Sequence, residues 1–119
     1  MRQKVLNLLG IANRAGCIVT GEDNVTMALS KNKLKIVFVA NDASSKTIDK
    51  FDKKCYFYKV VCNLDFSSEE LSSALGKPRK IIGVSDKGFY DALERLMGWL
   101  YESKRNNWSI KYWSWGAYW

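Results

Sequence analysis

Ile36-Val37-Phe38-Val39-Ala40 is an unbroken apolar run rich in β-branched side chains. A strand with no polar alternate needs cover on both faces, so this chain must place a layer on each side of it. Ile18-Val19-Thr20, Val60-Val61-Cys62 and Lys80-Ile81-Ile82-Gly83-Val84 are three further strand candidates. Between them the apolar residues switch to steps of three and four, the period of a helix with one buried face. Strands alternating with helices at this spacing define an α/β fold: a three-layer α/β/α sandwich around a small four-stranded sheet, largely parallel or mixed.

Val5, Leu8, Leu9 and Ala12 share one face of a first helix, which pauses at Ala15-Gly16. A second, from Gly21 to about Lys31, turns Val25, Ala28 and Leu29 inward and leaves Met27 off that stripe. Asn41-Asp42-Ala43-Ser44-Ser45 opens a third, with Ile48, Phe51, Cys55 and Tyr58 inside and lysines outside. Ser67 and Glu70 spell a capping box for a short helix burying Leu71, Ala74 and Leu75. Gly76 as C-cap, with Pro78 beyond it, ends that helix. Ser85-Asp86 opens the last, with Phe89, Leu93, Leu96, Met97 and Leu100 inside.

A chain of 119 residues is most simply one domain with a real core. The formal charge of +7 suits a polyanionic partner, although a basic balance also serves solubility alone. The opening residues MRQKVLNLLGIANRAG read as an amphipathic helix rather than a secretory signal, and no run reaches membrane-spanning length. A cytoplasmic location with no membrane partner is the expectation. Cys17, Cys55 and Cys62 are odd in number, lack C-x-x-C spacing and have no histidine to join them. They read as buried reduced thiols, with no metal and no cofactor.

The lack of histidine also removes the usual catalytic triads and the usual proton shuttle near neutral pH. Gly76-Lys77 lacks the spacing of a phosphate loop, and no Ser or Thr follows the lysine. The carboxylate pairs Glu22/Asp23 and Glu69/Glu70 both sit at helix starts, where capping explains them. No catalytic residue is indicated, so the chain reads as non-enzymatic.

Gly10–Leu29 holds the feature with the most chemistry. A helix that begins straight from a strand leaves first-turn N–H groups unpaired, and these suit an acceptor-rich anion such as RNA. Thr20 is the expected N-cap, with Asp23 at the third helical position. Glu22, Asp23 and Asn24 surround this point and can accept hydrogen bonds from guanine or cytosine edges. The same residues also fit a plain capping role.

From Trp99 onward the composition changes. All five tryptophans and Tyr101, Tyr112 and Tyr118 fall in this stretch, so 1–98 is taken as the domain and 99–119 as an aromatic extension. Three readings fit the extension: packing on the domain or on a neighbouring chain, which would make it a protein-interaction module or a self-association module through Trp108, Trp113 and Trp115, a stacking surface for bases, or an appended, non-native segment.

LLGIANRAG and VTGEDNV, then VFVANDASSKT, KCYFYKV and ALGKPRKIIGVSDKGF, together resemble the bacterial YlxQ-type proteins over about residues 4–97. These belong to the ribosomal superfamily that includes the archaeal L-seven-Ae protein, a binder of kink-turn RNA. The resemblance implies the α/β/α sandwich and RNA binding without catalysis, with structured ribosomal or similar RNA as partner in translation. It implies that Gly21 lets RNA approach the backbone. Asp23 and Asn24 stand where kink-turn binders carry Asn and Glu, and Met27 stands where they usually carry Lys. Lys31 keeps a basic position one turn on, and Lys77, Arg79 and Lys80 fall on or beside the loop before the last strand. Arg14 completes the expected RNA-binding set as a phosphate contact.

Overall fold

A computed structural model describes residues 2–103, with side chains through Leu96. Met97, Leu100 and the aromatic segment with Trp108, Trp113 and Trp115 lie outside the described side chains. Five helices alternate with four strands: α1 (Arg2–Arg14), β1 (Ile18–Thr20), α2 (Glu22–Ser30), β2 (Ile36–Val39), α3 (Ser45–Tyr58), β3 (Val61–Asn63), α4 (Ser68–Leu75), β4 (Ile81–Val84) and α5 (Lys87–Ser103).

The sheet order is β1-β4-β2-β3. β4 runs antiparallel to both β1 and β2, whereas β2 and β3 are parallel, so the sheet is mixed. The two central strands are the two longest apolar runs, and every residue of each is buried. Edge strand β1 is only half-buried. α1 packs against α4 and α5 in one layer, and α2 lies beside α3 in the other. The sandwich is the architecture the sequence predicts.

Two close approaches hold the layers. In α1, a Cβ added at Gly10 would stand 2.9 Å from the Ala74 carbonyl oxygen, so the absence of a side chain lets α1 and α4 touch. In β4, a Cβ at Gly83 would stand 2.6 Å from Leu34 Cδ1. Leu34, in the turn after α2, uses that space to bury itself on the central strand.

The ends of the elements follow local chemistry. The Ser44 hydroxyl accepts the Thr47 N–H at 3.2 Å and starts α3. At α4 the capping box forms in full: Ser67 Oγ accepts from Glu70 N–H and Glu70 Oε1 accepts from Ser67 N–H. Glu70 also pairs with Arg2 at 2.7 Å, and the Arg2 guanidinium lies 4.6 Å from the centroid of the buried Phe66 ring. The first residue of α1 is thereby tied to the first turn of α4.

Several details differ from the sequence reading. The third strand is Val61–Asn63 rather than 60–62, because the Val60 N–H closes α3 by donating to the Cys55 carbonyl. Lys80 precedes its strand and donates none of the ladder bonds. Its carbonyl instead accepts the Ala40 N–H at 2.8 Å. Cys55 and Cys62 are buried free thiols as expected, but Cys17 is only half-buried. The Cys62 contact, and after it burial, push the Cys55 thiol well above the usual range, so it packs as an inert hydrophobe. Leu6 and Phe66 join the core although the helical spacing did not single them out.

Candidate nucleic-acid interface

The site is built where β1 turns into α2. Gly21 sits between them at φ +94° and ψ 150°, a region open essentially to glycine alone. This changes the expected cap. Gly21, not Thr20, is the N-cap, and no side chain caps α2. The Thr20 hydroxyl is occupied elsewhere, accepting from Arg79 Nε at 3.1 Å. Its carbonyl accepts from Asn24 Nδ2 at 3.1 Å.

The Gly21 N–H, expected to face a ligand, instead donates to the Ile81 carbonyl at 3.2 Å. Intrahelical bonding of α2 starts with Val25, whose N–H donates to Gly21 O at 3.0 Å. The N–H groups of Glu22, Asp23 and Asn24 therefore remain for an outside acceptor. The side chains of all three residues are exposed. Glu22 is engaged, its Oε1 2.6 Å from Lys50 Nζ of α3. Asp23 makes no hydrogen bond or ion pair within the described residues.

The loop between α4 and β4 lies against this helix start. Gly76 closes α4 in the left-handed conformation, and Lys77-Pro78-Arg79-Lys80 follows directly. Arg79 is braced: its N–H donates to Ser72 Oγ at 3.0 Å and its Nη1 to the Pro78 carbonyl at 2.7 Å. Gly21, Glu22, Arg79 and Lys80 line one cleft of about 350 Å³, with Ser44 and Thr47 from the start of α3 on its other wall. Two helix starts and two cations thus face one open space, an arrangement suited to an anion and lacking any enclosed pocket.

The remaining predicted residues divide. Met27 is 57% exposed on α2, one turn beyond Asp23, and Lys31 caps the C-terminus of that helix. Asp23, Met27 and Lys31 follow one another at four-residue steps, so they form a ridge running from the cleft. Lys77 is exposed in the loop beside it. Arg14 stands apart. It lines a different groove, between α1 and α4, with Gln3, Asn7, Glu69 and Ser73, in the opposite layer of the sandwich. Residue types alone could not separate it from the others, because nothing local states which layer a helix end will face.

Sequence reasoning missed Thr20 as a partner of Arg79 and Lys50 as the partner of Glu22. Both links join residues far apart in the chain, 59 and 28 positions respectively. Among the described residues, no cluster of three His, Cys, Asp or Glu could hold a metal ion, and no helix is long and apolar enough to cross a membrane.

An α/β/α sandwich here opens an uncapped helix start beside a braced basic loop, a geometry suited to an extended anionic partner. Residues 3–94 match the Ribosomal protein L7Ae/L30e/S12e/Gadd45 family, and the chain belongs to that family. The RNA-binding protein YlxQ of Enterococcus faecium is 45% identical over 96 residues, covering 81% of this chain and 93% of that protein. RNA-binding protein YlxQ of Bacillus subtilis (strain 168) is 40% identical over 91 residues, covering 76% and 91%. A solved structure from Bacillus halodurans, described as a protein with unknown function, superposes with a TM-score of 0.76 at 35% identity. The match covers 80% of this chain and 97% of that one. The Giardia lamblia 15.5kD RNA binding protein shares the fold, with a TM-score of 0.71 at 17% identity over 81% of this chain and 83% of its own. Within the family the chain is YlxQ-like.

Proposed function

We propose that this protein is a non-enzymatic, cytoplasmic RNA-binding protein that acts with the ribosome or in translation and recognises structured, kink-turn-like RNA. The observation that carries the reading is the convergence, around one cleft, of the uncapped α2 start with Arg79 and Lys80. The first-turn N–H groups and the side chains of Asp23 and Asn24 meet a base step at the bend. Arg79, Lys80, Lys77 and Lys31 hold the phosphates that flank it. Met27 occupies the ridge between Asp23 and Lys31 and contributes no charge there. A bent duplex suits this geometry because phosphates on two sides of a bend approach the α2 ridge and the 76–80 loop together. The YlxQ relatives, named RNA-binding proteins, support RNA as the partner.

The test is a fluorescence-anisotropy titration of a kink-turn RNA against the same hairpin with its G·A pairs changed to Watson–Crick pairs, each at two salt concentrations. A large preference for the kink-turn is expected. Equal, strongly salt-dependent binding of the two hairpins would sink kink-turn readout and leave a general basic surface. Binding of neither would end the RNA reading.

A further inference from the structure

We infer that the outer face of α3 is a second RNA contact, which takes unpaired nucleotides leaving the element held in the cleft. The inference rests on the RNA reading above and extends it to a helix outside the predicted site. Lys46, Lys50, Lys53 and Phe57 follow one another at steps of four, three and four, so they fall on one line along α3, and all four are exposed. The line spans roughly 16 Å at the rise of an α-helix. Of the helix's two aspartates, Asp52 is buried and Asp49 stands at the edge of the line.

The line begins at the cleft. Ser44 and Thr47, in the same first turn as Lys46, form its wall, and Lys50 reaches Glu22 at the start of α2. Lys46 and Lys53 have no ion-pair partner among the described residues, which leaves their charge available to phosphates. At the far end Phe57 is 74% exposed. Its ring meets that of Tyr58 nearly at right angles, 86° with centroids 4.8 Å apart, so it is braced while most of its surface stays in solvent.

The chemistry favours a nucleic acid over a protein partner. The other large exposed apolar side chains among the described residues are Ile11, on α1 in the opposite layer, and Met27, on α2. Phe57 is therefore a single exposed apolar side chain at the end of a row of lysines, not part of an apolar patch of the size a protein interface centres on. A fixed aromatic ring beside backbone-neutralising cations is the arrangement that holds single strands, with phosphates on the cations and a base on the ring.

The experiment uses the full chain and two RNAs, the kink-turn hairpin alone and the same hairpin with a short oligouridine extension at one end or the other. The extended RNA should bind more tightly. Phe57→Ala should weaken it by roughly ten-fold, in line with the loss of one stacked base, and leave the bare hairpin unchanged. Phe57→Trp should keep the gain. Lys46→Gln with Lys53→Gln should flatten the salt dependence of the extended RNA by about 1.4 in log–log slope, as for two single-strand phosphate contacts. If the bare hairpin is held but the extension adds nothing and Phe57→Ala changes neither, the α3 contact is wrong and the cleft reading survives. If neither RNA binds the unaltered protein, both readings fall together. Loss of a concentration-dependent self-association on Phe57→Ala, with RNA binding untouched, would assign the face to a second copy of the chain and overturn the inference.

Discussion

Arg79 donates its Nε proton to the Thr20 hydroxyl at 3.1 Å, and this bond joins the loop before β4 to the last residue of β1, just ahead of the Gly21 turn into α2. It fixes a guanidinium beside an uncapped helix start, where the proposed RNA would meet both. Arg79→Ala removes the charge and the brace together. The expected result is a drop of about ten-fold in RNA affinity, with the salt dependence flattened by about one unit. Thr20→Val keeps the charge and loses only the bond, so affinity should fall a few-fold with the salt slope unchanged. Anisotropy titrations of both variants across a salt series separate the two effects.

Gly21 carries the backbone turn that makes the helix start accessible. Its φ of +94° with ψ 150° is a conformation an L side chain enters only under strain. Space is not the obstacle, since the nearest atom to a Cβ there would be Asn24 Nδ2 at 3.9 Å. Gly21→Ala should therefore destabilise the fold by about 1–3 kcal/mol through backbone strain alone. Urea denaturation is the check, and an unchanged midpoint would show that the turn relaxes freely.

Acid stability should depend on Glu70. The Ser67 N–H bond first, and the Arg2 guanidinium after it, hold the Glu70 carboxyl below its ordinary value of 4.5. A carboxylate whose folded pKa is depressed contributes stability above its unfolded pKa and loses it as the pH falls through the folded value. Asp42 behaves in the same direction, because the Ser68 N–H and hydroxyl both donate to it. Thermal melts should thus hold steady down to about pH 4.5 and decline below it. In Glu70→Gln the melting temperature should start lower near neutral pH and decline less on the acid side. A parallel decline in both proteins would remove Glu70 from the account.

The layered architecture was legible because each local signal agreed with the global one. β2 and β4 are central strands and carry the unbroken apolar runs. Ser67 and Glu70 announce their helix start in four residues, and the box forms as written. At the candidate site the useful signals were long-range. Thr20 looks like an N-cap by residue type, but a tertiary bond to Arg79 claims its hydroxyl and glycine takes the cap position. The lysines of α3 were visible as an outer face, yet only the packing of α3 beside α2 places that face next to the cleft. Arg14 shows the converse, a cation near the key stretch in sequence that the fold carries into another layer.

Met27 offers a gain-of-binding test of the whole surface. It is 57% exposed, lies on the ridge between Asp23 and Lys31, and anchors nothing in the core. Met27→Lys adds one cation where the proposed RNA backbone passes, and straight-chain residues of this kind suit a helix surface equally well. Stability should change by no more than about 0.5 kcal/mol, as for surface substitutions in general. RNA affinity should rise at low salt, and the slope of its logarithm against that of salt should steepen by about one unit. The gain should vanish when Arg79 is also replaced if both cations hold the same bent RNA, and persist if Met27→Lys only adds general charge. A Met27→Lys protein that binds no better at low salt would place the RNA away from α2, and with it the cleft reading would fail.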